Sequence, residues 1–132
     1  MLPPISEKTS NDPLARMRVY QLARELLEVA KVDAVALAAN TVTEKVAPQL
    51  FAAIGSIAAN LAEGYSRSSG KDRARIFEIA LGSTRESMIW YHAGMATLGE
   101  ITQERLDKLE QIRRLLLAII PRERGKLIRP NH

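Results

Sequence analysis

The stretch of sequence that decides the fold runs from Val46 to Ala62 and reads VAPQLFAAIGSIAANLA, without a charged residue. When its residues are placed at 100° intervals, the large apolar side chains fall on one face of a helix and the polar ones form a narrow stripe. The apolar face consists of Leu50, Ile54, Ile57 and Leu61, and the polar stripe of Gln49, Ser56, Asn60 and Glu63. The pattern predicts a helix from about Glu44 or Ala47 to Glu63, with Gly64 as its C-terminal cap.

The remaining flank of this helix carries small residues, which would let another backbone approach closely. A helix in a monomeric four-helix bundle keeps one solvated face, and this helix has no charged face. We therefore expect it to contact a second subunit. The expected oligomer interface consists of Ala52, Gly55 and Ala59, together with Ile89 and Trp90, which fall outside the apolar arc of a later helix.

Three further amphipathic helices are predicted around this stretch. They cover residues 13 to about 40, 69–98 and 102–120. Asp12, Ser69 and Thr102 are the expected N-caps, and Pro121 is expected to end the last helix. Four helices joined by short connections predict an all-α fold, an antiparallel up-down-up-down four-helix bundle over residues 13–120.

The two ends of the chain are predicted to lie outside the bundle. Residues 1–12 are rich in proline, serine and charge and lack periodicity, so we interpret them as a flexible N-terminal tail. Residues 121–132 are interpreted as a flexible, basic C-terminal tail.

The composition excludes several classes of protein. The chain has 132 residues, enough for one ordinary core, and no cysteine. Without cysteine it has no disulfide framework, thiolate metal site or thiol nucleophile, and a reducing, cytoplasmic location is expected. The uncharged stretch is slightly short of a bilayer span and is interrupted by polar residues, so no membrane segment is predicted.

The formal net charge of +4 is unevenly distributed along the chain. Residues 111–132 carry +5 and residues 64–75 carry +3, which leaves −4 on the rest. Basic segments on an acidic body favour a polyanionic partner such as RNA or DNA. The alternative interpretation of residues 64–75 is an ordinary polar turn, and that of the C-terminal segment is a tail that only keeps the protein soluble. The candidate nucleic-acid-binding residues are Arg67, Lys71, Arg73 and Arg75 in one segment, and Arg113, Arg114, Arg122, Arg124, Lys126 and Arg129 in the other.

No constellation of residues predicts an enzyme, a metal site or a cofactor. His92 has no carboxylate on its face at metal-ligand spacing, and Glu63 is expected to form a salt-bridged corner with the basic residues that follow it. An enzyme that uses Glu63 or Glu86 is the less favoured alternative, because no second catalytic group lies beside either. Asp33 and Arg113 each interrupt an apolar arc, so we expect them to pair with each other or to lie at an interface.

Two motifs resemble those of a known family. Residues 56–67, SIAANLAEGYSR, contain Asn-x-Ala-Glu-Gly, and residues 77–86, FEIALGSTRE, contain Ala-x-Gly-Ser. This combination resembles the four-helix-bundle proteins encoded in intervening sequences of bacterial 23S rRNA genes, over about residues 16–120. The motif residues, to which we assign structural roles, are Ser56, Asn60, Glu63, Gly64, Gly82, Ser83 and Glu86.

The resemblance implies a homopentameric ring of bundles without established enzymatic activity. A related group consists of accessory proteins of diversity-generating retroelements, which implies RNA or DNA, and a reverse transcriptase or another protein, as partners. The family commonly has Gln-x-Arg-Arg-Ala in its second helix, where this chain has QLFAA at residues 49–53. That face therefore lacks the two arginines that an RNA contact there would need. The alternative function is a protein–protein scaffold whose arginines only solubilise it.

Overall fold

The computed structural model describes residues 12–126, which form four α-helices and one short 3₁₀ helix. The α-helices are α1 (Arg18–Ala38), α2 (Val46–Tyr65), α3 (Gly70–Leu98) and α4 (Ile101–Arg124). No strand occurs within this range, so the all-α prediction is confirmed. Each helix packs most extensively on the next one in the chain, and α1 makes smaller contacts with α3 and α4. In the described part of the chain, no helix combines the length and apolarity that crossing a bilayer requires.

The first α-helix begins later than predicted. The carboxylate of Asp12 accepts a hydrogen bond from a backbone N–H two residues on, at 3.0 Å, but the helix that it caps is the 3₁₀ helix Pro13–Arg16. Met17 is extended, with ψ of 117°, and separates this turn from α1. The side-chain amide of Gln21 donates to the carbonyl of Ala15 at 3.0 Å across the break. This bond stabilises a bend that helix periodicity does not predict.

The apolar face of α2 is buried as predicted, since its four large side chains have no exposed surface. Gly64, however, lies inside the helix and does not cap it, because α2 continues to Tyr65. A Cβ atom on Gly64 would lie 2.7 Å from two ring carbons of Phe77 in α3. The glycine therefore permits the close approach of α2 and α3.

The starts of α3 and α4 have different causes. Ser69 caps α3 as predicted, because its hydroxyl accepts a hydrogen bond from the backbone N–H of Asp72 at 3.1 Å. Helix α4 has no side-chain cap and follows Gly99, whose φ of +65° lies in the left-handed region that favours glycine. Thr102 is not the cap: it lies inside the first turn of α4, buried, and its hydroxyl has no hydrogen-bond partner among the described residues.

Helix α4 continues past Pro121 to Arg124. A proline inside a helix removes one backbone hydrogen bond and usually ends or bends the helix. Here the following turn is anchored, because the buried side chain of Glu123 pairs with Arg73 of α3 at 2.9 Å. The helical region thus extends beyond the predicted boundary at residue 120. The remainder of the two predicted tails, residues 1–11 and 127–132 with Arg129, lies outside the described residues.

Candidate nucleic-acid interface

Arg73 is a buried residue whose side chain is 1% exposed. Its Nε donates to Oε2 of Glu123 at 2.9 Å, and its Nη1 donates to the backbone carbonyls of Arg67 and Ser68 at 3.0 and 2.9 Å. A guanidinium that is buried among these partners has no surface to offer a phosphate. The prediction that Arg73 contacts nucleic acid is therefore wrong.

The same ion pair brings the two basic segments of the sequence together. It joins the start of α3 to the last turn of α4, and six exposed cationic side chains lie within six residues of Arg73 or three residues of Glu123 in the sequence. We call these six the basic end: Arg67, Lys71, Arg75, Arg122, Arg124 and Lys126. Together with Arg73 they make seven basic residues against four acidic ones, Glu63, Asp72, Glu78 and Glu123, an excess of three positive charges.

Four cations of the basic end form ion pairs with carboxylates. The pairs are Arg67 with Glu63, Arg75 with Asp72 at 3.7 Å, Arg124 with Glu78, and Lys126 with Glu123 at 3.6 Å. The side chains of these cations are 44–61% exposed, so they retain donors that face solvent. Lys71 and Arg122 form no ion pair within residues 12–126. Because exposed ion pairs are weak, a phosphate can compete for these cations.

Arg113 and Arg114 lie apart from the basic end. Both pair with Glu110: Arg113 donates two hydrogen bonds of 2.7 Å and Arg114 one of 3.0 Å. The hydrogen bond from Arg113, assisted by Arg114, lowers the pKa of Glu110 to about 2. Ten residues of helix, about 15 Å, separate Arg113 from Glu123. The second basic segment of the sequence therefore divides into two groups.

Asp33 pairs with Arg105, so of the two alternatives that the sequence leaves open, pairing of Asp33 with Arg113 is wrong. Arg105 Nε donates to Oδ2 of Asp33 at 2.7 Å and its Nη2 donates to Oδ1 at 3.3 Å, while the Tyr91 hydroxyl donates to Oδ2 at 2.6 Å. Burial, together with the hydrogen bond to Asp33, raises the pKa of Tyr91, so its hydroxyl stays protonated and donates. Asp33 is only 4% exposed, and the cluster joins α1, α3 and α4 inside the protein.

Ser56, Gly64 and Ser83 of the family-like motifs lie at the contact between α2 and α3, whereas Glu63, Gly82 and Glu86 are exposed. The hydroxyls of Ser56 and Ser83 are 2.8 Å apart, and Asn60 Nδ2 donates to the hydroxyl and carbonyl of Ser56 at 2.9 and 2.8 Å. Glu86 accepts a hydrogen bond from Nε1 of Trp90 at 3.0 Å. The bonds among Ser56, Asn60 and Ser83 satisfy polar groups where α2 and α3 pack, whereas the bond between Trp90 and Glu86 lies within α3.

The residues predicted to form the oligomer interface lie on the outer sides of α2 and α3. Ala52 and Ala59 are exposed, Ile89 is 62% exposed, and Gly55 and Trp90 are half-buried. Further large apolar side chains that the sequence analysis did not single out are also exposed: Val32, Val35, Val42, Phe51, Ile79, Met95 and Leu117. The oligomer interface expected from the sequence stays a prediction, because the structure contains a single chain.

The positions of the carboxylates and histidines follow from the same helices. Among residues 12–126, no group of three or more His, Asp or Glu side chains is arranged to hold a metal ion. Glu63 pairs with Arg67, and His92 is exposed on α3. His132 lies outside the described residues.

Comparison with known proteins places these features in context. The profile of the family described as "23S rRNA-intervening sequence protein" matches residues 15–120. A search of curated proteins finds no match. Among solved structures, the chain is similar to a protein of unknown function from the S23 ribosomal protein family of Bacteroides thetaiotaomicron VPI-5482, with a TM-score of 0.71 and 22% sequence identity. The alignment covers 77% of this chain and 97% of that one, and it shows a shared fold.

Proposed function

The chain belongs to the 23S rRNA-intervening sequence protein family, and from that premise we propose that it is a non-enzymatic, oligomeric helical bundle that binds the backbone of RNA or DNA. The observation that carries the proposal is the basic end, in which the Arg73–Glu123 contact joins two segments that are distant in sequence and that together carry six exposed cations. Lysine and arginine on such a surface bind phosphates through charge and hydrogen bonds.

Binding of this kind would not read the base sequence. Contacts from cations to phosphates fix the position of a protein on a nucleic acid but carry no sequence information. Stacking on aromatic side chains is the usual route to single-strand affinity, and aromatic residues make up only 5% of this chain. We therefore propose a backbone-binding protein that prefers no particular sequence.

We further propose that the four helices form an antiparallel up-down-up-down bundle and that five copies assemble into a ring. The contacts of Ser56 with Ser83 and of Gly64 with Phe77 support opposite directions for α2 and α3. From the first contact to the second, the residue number rises in α2 and falls in α3. The exposed Ala52, Ala59 and Ile89 support an assembly that covers them. Repetition of a weak basic site around a ring would strengthen binding by avidity.

A titration at two salt concentrations tests the proposed binding. A fluorescently labelled RNA duplex and a DNA duplex of the same sequence are titrated with the protein, and anisotropy is measured. Between about 50 and about 200 mM salt we expect the affinity for both duplexes to fall by about a hundredfold, as about four phosphate contacts require. Absence of binding, or an affinity that does not change with salt, would overturn the proposal.

Sedimentation velocity tests the proposed assembly. We expect a species close to five times the 14.7 kDa mass of one chain. A 14.7 kDa species at micromolar concentration would contradict it.

A protein–protein scaffold is the second candidate function, favoured by the exposed Val32, Val35 and Val42 on α1 and the loop that follows it. Replacing Arg67, Lys71 and Arg75 with glutamine discriminates between the two functions in cells. Arg73 is left intact in this test, because it is buried and its loss would perturb the fold. Survival of cellular function in the triple variant would support the scaffold.

A further inference from the structure

We propose that the Arg73–Glu123 ion pair positions the basic end: it holds the last turn of α4 against the turn between α2 and α3, so that cations from both segments act as one site. The ligand in this proposal rests on the proposed function. The role of the ion pair in positioning that turn does not depend on the ligand.

The last turn of α4 needs an anchor because of the residue that precedes it. Pro121 has no backbone N–H, so the hydrogen bond to the carbonyl of Leu117 is missing and the connection between the last turn and the rest of α4 is weakened. Arg122 and Arg124 in this turn are exposed, and only Glu123 is buried. Residues 122–126 carry no apolar side chain, so within the described part of the chain Glu123 supplies the main buried contact of this turn.

The guanidinium of Arg73 joins three segments at once. Its Nε contacts the carboxylate of Glu123 in α4, while its Nη1 contacts the carbonyls of Arg67 and Ser68 between α2 and α3. Lys126, one of the cations of the basic end, lies 3.6 Å from the other oxygen of Glu123. The planar group of arginine, with five donors in fixed directions, suits this role better than the single ammonium of lysine.

Gly70 provides a second, uncharged component of the same contact. It is the first residue of α3, and a Cβ atom there would lie 1.9 Å from the carbonyl oxygen of Glu123 and 2.6 Å from that of Lys126. Any side chain at this position would force the end of α4 away. A substitution at Gly70 therefore disturbs the position of the turn without changing any charge.

The proposal can be separated from a simple effect of charge. Glu123 and Glu78 are both acidic and both lie beside cations of the basic end, Glu123 buried and Glu78 exposed in its pair with Arg124. If only net charge mattered, removing either carboxylate would strengthen polyanion binding equally. If Glu123 positions the turn, its removal weakens binding even though the protein becomes more positive.

The matched variants Glu123→Gln and Glu78→Gln test this difference in titrations of the RNA duplex at several salt concentrations. We expect E78Q to bind as tightly as the wild type or more tightly. We expect E123Q to bind at least about tenfold more weakly, with a shallower dependence on salt, because the contacts from Arg122, Arg124 and Lys126 are lost together. Gly70→Ala should weaken binding in the same way, whereas Gly125→Ala, whose Cβ would lie 3.9 Å from the nearest carbonyl, should not.

Amide hydrogen exchange of residues 122–126 provides a readout that does not depend on a ligand. It is measured at a temperature at which circular dichroism shows every variant to be folded. We expect faster exchange in E123Q and G70A than in E78Q and G125A. If E123Q does not fold, the comparison of G70A with its control G125A provides the test. Equal exchange in all variants, or stronger duplex binding in E123Q, would overturn the positioning role. If the wild type binds no duplex, the proposed function fails, and hydrogen exchange still decides whether the ion pair positions the turn.

Discussion

Asp33 and Arg73 are an acidic and a basic side chain in the interior, and each has an oppositely charged partner and further hydrogen bonds. Asp33 accepts from Arg105 and Tyr91, and Arg73 donates to Glu123 and to two backbone carbonyls. Leaving either charge without its partner would be costly, because the interior solvates ions poorly. At the scale of the residue, the protein thus separates cations that stabilise the fold from the exposed cations of the basic end.

Replacement of Arg105 should destabilise the fold strongly, although its side chain is partly exposed. Arg105→Ala leaves the buried carboxylate of Asp33 without its opposite charge, and we expect the free energy of unfolding to fall by about 3 kcal/mol. Tyr91→Phe removes one hydrogen bond from the same carboxylate and should cost about 1 kcal/mol. Urea unfolding followed by circular dichroism measures both. A smaller loss in the arginine variant than in the tyrosine variant would contradict the assigned roles.

Glu110 should make stability sensitive to acid. Its pKa of about 2 in the folded protein lies below the ordinary value of 4.5, so the folded state binds a proton less readily than the unfolded state. The stability that Glu110 contributes is therefore present above about pH 4.5 and is lost as the pH falls towards 2.

The urea midpoints of the wild type and of Glu110→Gln at about pH 7 and about pH 3 measure this effect. We expect the midpoint of the wild type to fall more than that of E110Q. Glu44→Gln is the control, because Glu44 is exposed and forms no ion pair within the described chain. If E110Q loses as much stability in acid as the wild type, the pairing with Arg113 and Arg114 has no effect on stability.

At the scale of the helix, the boundaries that the sequence predicts correctly depend on neighbouring residues. Ser69 caps α3 through a bond to a residue three positions away, which the spacing of the two residues indicates. Gly64 and Pro121 are typical helix-ending residues, yet both lie inside helices. Their roles depend on Phe77 and on the Arg73–Glu123 contact, which only the packing of different helices creates.

The burial of Arg73 and Glu123 and the partial burial of Arg105, which the sequence pattern was not used to predict, leave a signal in the sequence. Arg73 stands four residues before Phe77, Arg105 stands four before Leu109, and Glu123 stands three after Ile120, so each extends the apolar stripe of its helix by one position. A charge on an apolar stripe predicts burial with a partner. The partner itself cannot be predicted from one sequence, because Arg73 and Glu123 are 50 residues apart.

Gly64→Ala tests the contact between α2 and α3. Helix propensity alone favours alanine over glycine by about 1 kcal/mol. We expect the opposite result, a loss of about 2 kcal/mol, because the new methyl group would overlap the ring of Phe77. Gly82→Ala is the matched control, since a Cβ there meets no atom within 4 Å. Thermal unfolding of both variants measures the difference, and stabilisation by both would show that α2 and α3 do not approach so closely.

At the scale of the whole molecule, the arrangement of the helices decides which basic residues act together. Both basic segments are visible in the sequence, but the packing of α3 on α4 places Arg122, Arg124 and Lys126 beside the first segment and leaves Arg113 and Arg114 on Glu110. The distribution of surface charge therefore follows from the fold. Summing charges over segments of the sequence places Arg113 and Arg114 in the same group as the cations of the basic end.

The central claim, that the basic end binds nucleic-acid backbone, is tested most directly by the salt dependence of duplex binding in two matched triple variants. One replaces Arg67, Lys71 and Arg75 with glutamine, and the other replaces Lys31, Lys45 and Arg85, which removes the same charge away from the basic end. We expect the slope of log affinity against log salt to decrease in magnitude by about two or more in the first variant and to stay near the wild-type value in the second. Equal slopes in the two variants would contradict the claim.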